Sequence, residues 1–137
     1  MTTRPLPPLI GSTENALRSL LGRALLDTKI SGYAEWVFLN IRSAAGDDAQ
    51  VDELVSDALK QPVSEVLAAR ERLAADRLID SAGALTPLGH DQLRNGRELI
   101  GAMTEKLTEG IAMERLEVAA EVLDTVRLRA EEELSVS

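Results

Sequence analysis

The chain has 137 residues, a net charge of −8 and no cysteine, which excludes disulfides, cysteine-based zinc sites and thiol nucleophiles. A single histidine, His90, leaves no His-rich metal site within one chain, and any serine-type triad would have to use it. One Phe, one Tyr and one Trp in a chain that is 45% hydrophobic imply a core of Leu, Val, Ile and Ala, the composition of closely packed helices.

No apolar run approaches the ~20 residues that span a bilayer. Residues 1–11 lack a basic stretch leading into an apolar one, so no signal peptide is expected and the chain reads as cytoplasmic. That segment is rich in proline, and residues 1–12 are expected to form an extended arm before a single domain over 13–137.

The first helix is expected to start near Ser12 or Thr13. Leu17, Leu20, Leu21, Ala24 and Leu25 make one apolar face at helical spacing. A second helix over 33–45 holds Tyr33, Trp36 and Phe38 and is apolar almost all round. Gly32 is its expected cap, and Glu35 sits in its first turn, where a carboxylate suits the helix dipole. Gly46-Asp47-Asp48 breaks the pattern. Val51, Leu54, Val55, Ala58 and Leu59 line a third helix.

After a short turn at Lys60-Gln61, Pro62 is expected at the first position of a fourth helix reaching about Arg77. Its inward side is Val63, Val66, Ala69 and Leu73. Two helices joined this closely read as a helix-turn-helix. Two short apolar pieces, Leu78-Ile79 and Ala84-Leu85, flank Gly83 and predict a minimal β-hairpin. Thr86 and Pro87 open a long fifth helix, and a sixth carries Leu116, Ala119, Ala120, Leu123, Val126 and Ala130. The first and last two helices have apolar stripes that one small lobe cannot cover, which predicts a homodimer.

This order resembles the MarR (multiple antibiotic resistance regulator) family over about residues 13–134. Gly32-Tyr33-Ala34-Glu35-Trp36-Val37-Phe38-Leu39 is similar to that family's capped second helix. Leu73-Ala74-Ala75-Asp76-Arg77-Leu78-Ile79 is similar to the end of its recognition helix, and Leu85-Thr86-Pro87-Leu88-Gly89 to the pattern that closes its wing. The resemblance implies a mainly α fold: a winged helix-turn-helix with a minimal β-hairpin wing and N- and C-terminal dimerisation helices. The lobe would span about 33–86, and the dimerisation helices 13–30 and 87–134. It further implies a homodimeric transcription regulator on double-stranded DNA, released by a small lipophilic or phenolic effector.

On this reading the fourth helix presents Ser64, Glu65, Ala68 and Arg72 to DNA, with Arg77 near the wing. Tyr33, Trp36 and Phe38 would line the effector pocket. The bland alternatives are a solvated helix face for the first group and core packing for the second. His90 reads as a surface or capping residue. No metal, cofactor or catalytic residue is expected, because the sequence has neither a glycine-rich phosphate loop nor a nucleophile elbow.

Two departures from the family favour a second function, a protein-interaction dimer with little DNA affinity. The wing, about Ser81-Ala82-Gly83, lacks the family's minor-groove Arg. From Asp47 to Asp80 there are nine acidic residues against four basic ones, whereas DNA affinity comes largely from cations that neutralise phosphates.

Overall fold

A computed structural model of the chain describes residues 4–45 and 48–136. These residues are mainly helical. In chain order the helices are α1 (Leu6–Leu25), α2 (Tyr33–Ala45), α3 (Asp48–Leu59), α4 (Val63–Ala75), α5 (Pro87–Thr108) and α6 (Met113–Ser135). None is long and apolar enough to cross a membrane. The expected break at Gly46 and Asp47 lies outside the described residues.

The expected arm is instead helical from Leu6, with Pro5 as the cap residue and prolines in the first turn. Proline is tolerated there because the first amides of a helix have no intrahelical acceptor. Ser12 and Thr13, the expected caps, sit inside the helix and donate their hydroxyls to the carbonyls of Pro8 and Leu9, at 2.5 and 2.7 Å.

The chain divides into two compact units, Met1–Met103 and Thr104–Ser137. The core of the first is built from α2, α3 and α4. Phe38, Leu39, Val51, Val55, Val66, Leu73, Leu78 and Ile79 are all buried there, joined by Leu25 and Ile30 from the first helix and its loop and by Leu93 from α5. The loop after α1 is held to α5 by the Lys29 amide, which donates to Gln92 Oε1 at 2.8 Å.

Lys60 makes the turn between α3 and α4 in a left-handed conformation, φ 52°. The Gln61 amide returns to the Ser56 carbonyl at 3.1 Å, and the Ser56 hydroxyl donates to the Gln61 carbonyl at 2.5 Å. Pro62 is the cap residue and not the first helical one. The fourth helix stops at Ala75, short of the expected Arg77, because Arg77 itself takes a left-handed conformation, φ 62°. The Leu78 amide then bonds back to the Leu73 carbonyl at 2.9 Å, closing the helix end as glycine usually does.

The expected hairpin does not form strands. Among the described residues it is one antiparallel bridge, Ile79 to Leu85. The apolar pieces are too short to extend a ladder, and the turn is stabilised locally instead. Asp80 Oδ1 accepts from the amides of Ala82 (2.9 Å) and Ala84 (3.0 Å), and Gly83 supplies the positive φ of 87°. Arg42 of α2 pins the turn by donating from Nε to the Gly83 carbonyl at 3.1 Å.

Thr86 caps α5 as expected. Its hydroxyl accepts from the Gly89 amide at 3.0 Å and donates to the Arg77 carbonyl at 2.6 Å. Two glycines let α5 approach the core. A Cβ at position 89 would overlap the Leu78 carbonyl oxygen, and one at 96 would sit 2.6 Å from Cζ3 of Trp36.

In the second unit the chain turns at Gly110, φ 80°, into α6. No residue of α6 is buried, although Val118, Val122, Leu123, Val126 and Leu128 are apolar.

Candidate nucleic-acid interface

The outward side of the helix-turn-helix is set by what α4 buries. Val66, Ala69 and Leu73 face the core, so Ser64, Glu65, Glu71 and Arg72 are left on the surface. Ser64 and Glu65 lie in the first turn and are exposed, while Ala68 is half-buried. The structure thus brings Ser64, Glu65, Ala68 and Arg72 onto one helix. Arg77 is exposed beyond the end of that helix, where its left-handed backbone starts the turn.

Arg72 has the most developed environment. Its Nε donates to Oε1 of Glu35, a carboxylate on α2 that is only 3% exposed. A buried carboxylate is costly unless paired and hydrogen-bonded, so Glu35 needs this guanidinium. The Arg72 side chain itself is 52% exposed. Its two terminal nitrogens have no partner among the described residues. One edge of the guanidinium is fixed and the other is presented to solvent.

Arg70 is used differently. Its Nη1 lies 3.1 Å from Oδ1 of Asp52, and its guanidinium sits 5.9 Å from the centre of the Phe38 ring. It stitches α4 to α3 over the core. Lys60 pairs with Asp57 at 3.0 Å.

The aromatic residues do not form one wall. Phe38 is fully buried in the core and offers no surface to a ligand. Trp36 is half-buried against Gly96 of α5. Tyr33 is half-buried beneath Arg18 of α1, whose guanidinium lies 4.7 Å from the ring centre.

Sequence reasoning assigned Glu35 only to the helix dipole and missed its pairing. One signal was present: a carboxylate in a helix that is otherwise apolar all round requires a cation from elsewhere. Which cation could not be read from residues 37 positions apart. Among the described residues no cluster of His, Asp and Glu has the makings of a metal site. The chain matches no protein-family model and no characterised protein sequence.

Proposed function

We propose that the chain is a homodimeric DNA-binding transcription regulator of the MarR type, with α4 as the helix that enters the major groove. The observation that carries this reading is Arg72. A guanidinium held along one edge and free along the other matches the O6 and N7 acceptors of guanine. Glu35 removes much of the entropy cost of ordering that side chain before DNA arrives. Ser64, at the start of α4, adds a hydroxyl suited to a phosphate or a base, and Arg77 stands beside the bridged turn that occupies the place of a wing.

Dimerisation is supported by the exposed apolar residues of α1 and α6, including Leu9, Leu17, Val122 and Leu123. Two copies would place their α4 helices in successive major grooves, about one turn of DNA apart. By its resemblance to the family, the dimer would be released by a lipophilic or phenolic effector that favours another spacing of the lobes, with Tyr33 and Trp36 as the accessible aromatics.

Exposed Glu65 and Glu71 on the same helix, and the engagement of Arg70 by Asp52, favour a second reading, a dimer whose helix-turn-helix face binds protein. Fluorescence anisotropy with DNA from upstream of the chain's own gene decides between them. The regulator reading expects binding that beats random DNA and falls by orders of magnitude between ~50 and ~200 mM salt. No binding at the lower salt would overturn it.

A further inference from the structure

Between α2 and α5, within the first unit, lies a groove of about 400 Å³ lined by Ser43, His90, Leu93, Arg94, Arg97 and Glu98. His90, Arg94 and Arg97 fall on successive turns of one α5 face, and the opposing α2 side presents the neutral Ser43. In a chain with 23 acidic residues against 15 basic ones, such a run of basic groups facing no carboxylate on the opposite wall is unusual.

Arg97 is set up in advance. The Asn40 side chain donates from Nδ2 to the Trp36 carbonyl at 2.8 Å, which fixes the amide. Its Oδ1 then accepts from Arg97 Nε at 3.0 Å. The two terminal nitrogens of Arg97 have no partner among the described residues. The acceptor that holds Arg97 is neutral, so its positive charge stays uncompensated, unlike that of Arg72. Arg94 is already paired with Asp91 at 3.2 Å, and Glu98 stands on the rim. The site therefore has about one cationic fork to offer beside the apolar side chain of Leu93.

We propose that this groove binds a small organic monoanion, a carboxylate on an apolar ring or chain. The carboxylate would take both terminal nitrogens of Arg97, and the apolar part would lie over Leu93. A planar fork with two parallel donors matches a carboxylate in geometry as well as charge. A dianion such as a phosphate ester would meet Glu98 and Asp91 with a single free cation to offset its second charge. The inference uses none of the residues assigned to DNA and stands or falls without that reading.

The test is an NMR titration of the isotope-labelled full chain with benzoate, benzyl alcohol and inorganic phosphate. Benzoate is expected to shift Ser43, Leu93, Arg94 and the Arg97 Nε–H resonance saturably. Benzyl alcohol and phosphate should bind more weakly. Arg97→Gln, an exposed change that leaves the core intact, should weaken benzoate by about tenfold or more, because a bidentate charged contact is lost. Asn40→Ala should weaken it by a smaller factor.

The proposal is overturned by the absence of a saturable benzoate shift at these residues or by unchanged binding to Arg97→Gln. Equal binding of benzyl alcohol would show apolar recognition alone. Phosphate binding as tightly as benzoate would overturn the assigned ligand class. Shifts produced by a short DNA duplex but not by benzoate would make the cluster a nucleic-acid contact instead.

Discussion

Gly89→Ala is expected to destabilise the protein by about 3 kcal/mol or more, lowering the melting temperature by about 10 °C. The added Cβ would overlap the Leu78 carbonyl oxygen and lie 3.0 Å from its carbonyl carbon. Both obstacles are backbone, so no side chain can turn aside to make room. The segment they belong to is fixed too: Leu78 is fully buried, and its carbonyl accepts from the Thr86 amide at 3.1 Å. Relief requires α5 to move off the core, which would also expose Leu93. Gly101→Ala is the control. It lies on the same helix with nothing within 4 Å of its would-be Cβ, and should gain about 0.5–1 kcal/mol from helix propensity. Thermal unfolding followed by far-ultraviolet circular dichroism checks both. A Gly89→Ala protein that melts like the parent would refute the close approach.

Arg72→Ala is expected to cost about 2–3 kcal/mol, although the residue is half exposed. The loss comes from Glu35, whose buried carboxylate would keep its charge and lose its partner. Water entering the space left by the guanidinium keeps the cost below that of a fully buried broken pair. Glu35→Gln combined with Arg72→Ala should be less destabilising than the sum of the two single changes, since a neutral amide needs no counter-charge. Denaturant unfolding of the four proteins measures the coupling, and a value near zero would make the pair a surface contact. Arg72→Ala should also weaken sequence-specific DNA binding under conditions where the protein stays folded. Losing a bidentate guanine contact costs about 1–3 kcal/mol of discrimination.

The helices were legible where apolar spacing and breakers agreed. Tyr33–Ala45 is the expected second helix to the residue, and Thr86 caps α5 as its position before Pro87 suggests. The failures lay where one residue type has two uses. Prolines at 7 and 8 read as an extended arm, yet the first turn of a helix accepts them equally well. Arg77 gives no hint that it will take the left-handed conformation that stops α4. Alternation around Gly83 suggested a hairpin, but pairing needs length, and one bridge is all that the short flanks supply. The groups that define the two candidate sites were harder still. Glu35 meets Arg72, and Asn40 meets Arg97, only because α2 packs between α4 and α5. Those separations of 37 and 57 residues leave no periodic trace.

The bare surface of α6 sets a time scale. A helix of 23 residues with none buried has little besides its own propensity to hold it. Its backbone amides should open and exchange with deuterium within the range of fraying segments, whereas those of α2, α3 and α4 open only with the whole core. Association of two chains through α6 would slow that exchange, and dilution would speed it again. Deuterium uptake of Met113–Ser135 measured at two protein concentrations therefore reports assembly directly. The same uptake at both, with the core protected throughout, would mean that α6 does not carry the association.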